Sequence, residues 1–212
     1  MVHVKEFNTH IEDYEKWFSE HESVFLSELE AIRYHFLKLP ENIRGIEVGL
    51  GTGRFSQPLG IKEGLEPSEA MGNIAIERGI EVIRGVAENL PYSDIQFDFV
   101  LFVTICHLED IRAALKEANR VLKHSGTLIV GFLDKEQTVA QNYIKNKYGS
   151  TFYKHAKFYT VKYINELMVS SGFKNLEVTQ TLFGKLEDID TLQTHKKGFG
   201  EGSFVVISAK KH

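Results

Sequence analysis

Three glycines at alternate positions, Gly49, Gly51 and Gly53, follow a short apolar run that contains an acid, Glu47. With no Cβ at those positions, the backbone can pass close to a ligand, and a helix starting beyond them would aim its first N–H groups at it. A dinucleotide fingerprint needs its third glycine at position 54, which is Arg54, so a pyrophosphate fits this loop poorly. Glu66 comes 19 residues after Glu47, just past the next apolar run, where its carboxylate could take both hydroxyls of a ribose. A third turn, Gly85-Val86-Ala87-Glu88-Asn89-Leu90-Pro91, has a backbone that could border an adenine ring. Each turn alone also reads as an ordinary loop or helix start. Together, at consecutive strand ends and each suited to part of one nucleoside, they point to adenosine.

A second group of residues bears on an acceptor. His107, in Thr104-Ile105-Cys106-His107-Leu108-Glu109, has a side chain suited to general-base work near neutral pH, and equally to packing against the next helix. Cys106 has no visible activating partner and suits a buried thiol. Tyr14, Trp17 and Phe18, with Tyr153, Phe158 and Tyr159, could wall a sulfonium and a cationic acceptor; core packing explains aromatics at helical spacing as well. Tyr14 and Trp17 are kept as site candidates. No Cys/His cluster has metal-ligand spacing, so no metal is expected.

The elements that must position these groups follow from periodicity. Apolar residues at helical spacing between Phe7 and Leu39 predict two helices ending at Pro40. Beyond residue 43, short apolar runs alternate with helical patterns, as in βα units feeding a largely parallel sheet. Strands are expected at residues 45–48, 61–65, 81–84, 97–103 and 126–132, with helices near Gln57 and at 68–78 and 111–122. Residues 134–157 break the rhythm and read as an inserted helical lid, followed by a helix over 161–171. Strands at 176–183 and 203–210, joined by the polar segment 184–202, favour an antiparallel closing hairpin. The expected plan is therefore one domain over residues 1–212. It comprises a helical cap (1–40), a core holding the ligand loops (41–133), a lid (134–160), and a closing helix and hairpin (161–212).

A chain of 212 residues can bury about 70% of its unfolded surface, enough for one core. A net charge of -4, with mixed signs along the chain, gives no reason to bind nucleic acid or an anionic membrane. The single cysteine, the absence of an apolar signal core in Met1-Val2-His3-Val4-Lys5-Glu6, and no run of membrane-spanning length predict a cytoplasmic protein.

The segments Glu47-Val48-Gly49-Leu50-Gly51-Thr52-Gly53-Arg54-Phe55, Leu65-Glu66-Pro67-Ser68 and Ala87-Glu88-Asn89-Leu90-Pro91-Tyr92 before Phe97-Asp98 resemble the class I S-adenosylmethionine-dependent methyltransferases, specifically the type 11 group. The likeness covers residues 45–132. It implies a doubly wound, Rossmann-like α/β fold with seven strands in the order 3-2-1-4-5-7-6, the seventh antiparallel. It also implies that the loop from Gly49 to Gly53 lies against the methionine part of S-adenosylmethionine (SAM) and that Glu47 orients the loop. Glu66 would bond the ribose, Pro67 and Met71 flank adenine, and Val86 and Ala87 meet its edge. Many relatives have aspartate at the position of Val86, which leaves the adenine amino group to backbone or to Glu88. Val103 and Thr104, ending the fourth strand, complete the expected cofactor set. The implied reaction is in-line methyl transfer to a small-molecule N, O or C nucleophile, a histamine-like amine among them. The alternatives are a non-catalytic adenosyl-binding subunit or an NAD-type oxidoreductase.

Overall fold

The computed structural model describes residues 4–212; Met1, Val2 and His3, the start of the segment read above for an export signal, lie outside the described residues. Three helices come first, α1 (Val4–Thr9), α2 (Ile11–Glu20) and α3 (Glu22–Phe36). The two expected helices become three because His10 and His21 leave helical geometry, with φ near -120° and -125°. The break at His21 brings Phe18 of α2 edge-on to Phe25 of α3, ring centroids 5.2 Å apart, so both helices bury one continuous aromatic face.

The βα units then follow: β1 (Gly45–Val48), α4 (Ser56–Leu59), β2 (Glu63–Leu65), α5 (Glu69–Glu77), β3 (Glu81–Ile83), β4 (Phe97–Val103), α6 (Ile111–Val121) and β5 (Leu122–Leu133). The chain continues through α7 (Thr138–Lys145), α8 (Val161–Ser170), β6 (Phe173–Thr181), β7 (Lys196–Lys197) and β8 (Phe204–Lys211). The sheet runs β3-β2-β1-β4-β5-β8-β6-β7, parallel through β5, with β8 antiparallel to both β5 and β6. Leaving out β7, this is the expected order. The eighth strand is a two-residue edge strand on β6, too short to show any periodicity in sequence. β5 starts four residues earlier than expected, because α6 runs directly into it.

Helices cover both faces of the sheet, and β4 shows how one strand feeds two cores. Val100 and Phe102 face α6 and α8, while Phe99, Leu101 and Val103 face α3. This is the period-2 alternation of a strand buried on both sides. Phe97 breaks parity and joins the first face because the β4–β5 register shifts between Phe97 and Phe99. α6 contributes Ile111, Ala114, Leu115, Ala118 and Val121, a stripe at helical spacing. Its first turn is capped by Asp110, which accepts from the Arg112 and Ala113 N–H groups. Among the described residues, no helix is long and apolar enough to cross a membrane.

Candidate active site

The carboxyl ends of β1, β2 and β4 meet at one cavity of about 240 Å³. The chain turns out of β1 at Gly49, where φ is 75° and an added Cβ would meet nothing within 4 Å, so the residue presents bare backbone to the cavity it lines. The N–H groups of Gly49 and Leu50 both donate to the Leu65 carbonyl, at 2.7 and 3.1 Å, pinning the loop to the end of β2. One residue later Glu66, 6% exposed, accepts from the Gly51 N–H and from the Ser68 N–H, each at 2.8 Å. This one carboxyl therefore ties the glycine loop to the start of α5. Burial pushes it up to about 7, against the pull of those two N–H groups. Glu47, 1% exposed and held by the Ser56 hydroxyl, is pushed by burial up to about 8.

The N-terminal helices close over this loop through Glu15. Its carboxylate takes the Arg78 guanidinium at 2.6 Å, the Arg54 guanidinium and the Thr52 hydroxyl. Burial opposes its ionisation, yet the guanidinium bonds outweigh it and hold it at about 2. Asn8 of α1 adds a second latch, its side-chain oxygen accepting from the Ser68 hydroxyl at 2.7 Å. Arg54, which counted against a dinucleotide, is thus committed to holding the cap.

The structure brings Tyr14, Trp17, Glu47, Gly49, Gly51, Glu66, Pro67, Met71, Val86, Ala87, Glu88, Val103, Thr104 and His107 together in the cavity wall. It leaves Gly53 outside that wall. Glycine stands there for packing, since a Cβ would fall 2.4 Å from Cδ1 of Ile80. The Glu88 carboxyl holds the Glu109 and Asp110 N–H groups at 2.9 and 3.1 Å, so it anchors the entry to α6. Thr104 takes the left-handed conformation, φ 60° and ψ 56°, a strain tolerated where the strand end meets the cavity.

The other half of the wall is aromatic. His107 is flanked by Phe7 edge-on at 5.1 Å and Tyr153 stacked at 5.6 Å, and Phe152 stacks on Phe7 at 5.3 Å. Burial pushes His107 down to about 4, so at neutral pH it is an uncharged ring and a weak proton acceptor. Cys106 is buried and its thiol pushed up to about 12. Of the lid aromatics weighed from sequence, Tyr153 lines the cavity, while Phe158 packs behind it with Cys106 and Ala140. Tyr159 packs against the core cluster of α6 and α8.

Sequence reasoning missed Glu28, whose side chain lines the cavity from α3 and whose carboxyl is pushed by burial up to about 8. A signal was present. Val24, Phe25, Ala31 and Ile32 lie three or four positions away, so an acid interrupts an apolar helical stripe. Phe7, Phe152 and Leu186 were missed as well, because nothing local marks them.

These carboxyls set a pH dependence. Glu28, Glu47 and Glu66 keep their protons when folded to about 8, 8 and 7, whereas unfolded they release them near 4.5. Over that interval the folded state binds more protons, so stability falls as pH rises. His35 and His107, both pushed down to about 4, act in the opposite sense, but only below about 6.5. Between about pH 6.5 and 8 the carboxyl effect stands alone. The melting temperature of the cofactor-free protein is therefore expected to drop across that window and the drop to shrink in Glu47→Gln. A level or rising melting curve would contradict the protonation states assigned.

Residues 46–130 match the family model of the methyltransferase domain. The chain is 42% identical over 206 residues to an uncharacterised protein of Methanocaldococcus jannaschii, spanning 97% of this chain and 98% of that one. A crystal structure from Thermotoga maritima, of a SAM-dependent methyltransferase named as a possible histamine N-methyltransferase, superposes with a TM-score of 0.93 at 46% identity and covers 99% of both chains. The ubiquinone/menaquinone biosynthesis C-methyltransferase of Rickettsia felis is 30% identical over 125 residues, 58% of this chain and 47% of its own. Full-length likeness at that identity, the sheet order and the glycine loop set aside the oxidoreductase reading. The chain belongs to the class I S-adenosylmethionine-dependent methyltransferases of the type 11 group, and it is an enzyme of that family.

Proposed function

We propose that this enzyme moves a methyl group from SAM to a small-molecule acceptor held in the aromatic half of the cavity, releasing S-adenosylhomocysteine. The observation that carries the reading is Glu66, a buried carboxyl at the cavity wall that clamps the glycine loop to the start of α5. SAM, when bound, supplies an electrophilic methyl carbon on a sulfonium. The residues present fit it. Gly49 and Gly51 leave room for the methionine part, Glu66 retains acceptor capacity for the ribose, and Pro67, Met71, Val86, Ala87 and Glu88 lie where adenine would be flanked. Val103 and Thr104 at the end of β4, and Tyr14 and Trp17 from the cap, would hold the methionine part.

Displacement at a methyl carbon needs alignment and exclusion of water more than acid–base power. The cap (1–40) and the lid (134–160) supply these by closing aromatic side chains over the reacting centre. His107, uncharged at neutral pH, serves as a wall against which an acceptor packs. A small molecule is favoured over nucleic acid by the net charge of -4 and the cavity size. The one buried thiol fits a cytoplasmic setting. The names of the relatives point two ways, to an imidazole amine and to a quinone carbon.

The test is a coupled assay for S-adenosylhomocysteine release over amines, phenols, carboxylates and quinone precursors, with calorimetric binding of S-adenosylhomocysteine alongside. Turnover of at least one small acceptor is expected. Failure to bind S-adenosylhomocysteine, or turnover of macromolecular acceptors alone, would overturn the reading.

A further inference from the structure

Five acids line the cavity, Asp13, Glu28, Glu47, Glu66 and Glu88, and no lysine or arginine does among the described residues. Four of the five carboxyls have partners. Asp13 meets His10 at the rim, Glu47 is held by Ser56, Glu66 by the Gly51 and Ser68 N–H groups, and Glu88 by those of Glu109 and Asp110. Glu28 differs, for no hydrogen bond or ion pair among the described residues involves its carboxyl.

Its half-buried position disfavours its ionisation. Val24, Ala31 and Ile32, one turn away on either side along α3, are buried core residues, so the helix sets a carboxyl in an apolar stripe where leucine would pack. Its field reaches the lid: after burial itself, the nearby Glu28 carboxylate is the main influence raising the Tyr143 hydroxyl, to about 12. Tyr143 stacks on Tyr153 at 4.0 Å, and both rings line the cavity. An acid with no partner among the described residues, in one cavity with paired aromatic rings and no described lysine or arginine, suits a positively charged group carried on a small apolar body.

We infer that the methyl acceptor is an amine, paired as an ammonium with the Glu28 carboxylate against the Tyr143 and Tyr153 rings of the lid; Glu28 takes the ammonium proton for transfer, and the freed nitrogen lone pair forms the C–N bond as the methyl–sulfur bond breaks and S-adenosylhomocysteine leaves. The inference rests on the cofactor reading above. Glu28 selects the acceptor's charge; the cofactor contacts at Glu66 and the glycine loop lie on other elements.

The experiment uses the full chain saturated with S-adenosylhomocysteine, titrated with three compounds of one shape: phenethylamine, phenylethanol and phenylacetate. The amine is expected to bind at least about tenfold more tightly than the other two, and Glu28→Gln to erase that preference while S-adenosylhomocysteine affinity stays within about twofold. Glu28→Leu, which fills the apolar stripe, is expected to raise the melting temperature of the cofactor-free protein; a purely structural acid would make it fall. Equal or tighter binding of the alcohol or the carboxylate, binding of none of the three, or an amine preference that survives Glu28→Gln overturns the inference and leaves the cofactor reading intact. Loss of S-adenosylhomocysteine binding in the parent protein removes both.

Discussion

Glu66→Ala is expected to bind S-adenosylhomocysteine at least about 100-fold more weakly than the parent chain. Once ionised, above about pH 7, this carboxylate bonding two ribose hydroxyls makes two charge-assisted hydrogen bonds worth roughly 1.5–3 kcal/mol each, and about 3 kcal/mol already corresponds to two decades in affinity. Removing the side chain also frees the Gly51 and Ser68 N–H groups, so the glycine loop and the start of α5 lose their common anchor. Glu66→Gln keeps an acceptor oxygen but places an amide donor against one of those N–H groups, and it should fall between parent and alanine. Calorimetric titration reads the affinities, and far-ultraviolet circular dichroism reports whether the fold persists. A folded Glu66→Ala protein with near-parent affinity would refute the ribose assignment.

The second large effect is on stability. Gly64→Ala is expected to lower the melting temperature by roughly 2–12 °C, because inserting a methyl into a filled site costs about 1–3 kcal/mol and a chain of this size loses about 2–4 °C per kcal/mol. The new Cβ would lie 2.4 Å from Cδ2 of Leu50 and 2.5 Å from the Glu47 carbonyl oxygen. Leu50 can rotate away. The carbonyl cannot, since it belongs to β1, whose Glu47 is paired with Gly64 itself. Relief must come from sliding β2 against β1, which displaces the Leu65 carbonyl that holds the Gly49 and Leu50 N–H groups. Cofactor affinity should therefore drop together with stability. Gly149→Ala, whose Cβ would meet nothing within 4 Å, is the control expected to change neither. Equal melting temperatures for the two variants would show that the β1–β2 contact is slacker than described.

What was legible in the sequence is local chemistry. The run from Phe97 to Val103 reads as a strand, and it is one. Ser68 and Asp110 sit just ahead of apolar helical spacing and cap α5 and α6. Where local signals were weak, the reading blurred. The breaks at His10 and His21 carry no glycine or proline, and β7 is two residues long. That these turns meet at one cavity was readable for the same reason the strands were, since the glycines, Glu66 and the turn at Gly85 each follow a strand end directly.

By itself, then, the sequence determined the alternating βα core and the three turns that converge on one edge, because periodicity and turn chemistry act over a few neighbouring residues. Only the tertiary structure decided which distant groups meet. Glu15 reaches Arg78 across 63 positions to latch the cap. Gly53 stands outside the cavity wall, packed against Ile80, and Glu28 of α3 lines the same cavity as Tyr143 and Tyr153 of the lid. Such pairings depend on how helices pack onto the sheet, a long-range outcome that no single window of the chain encodes.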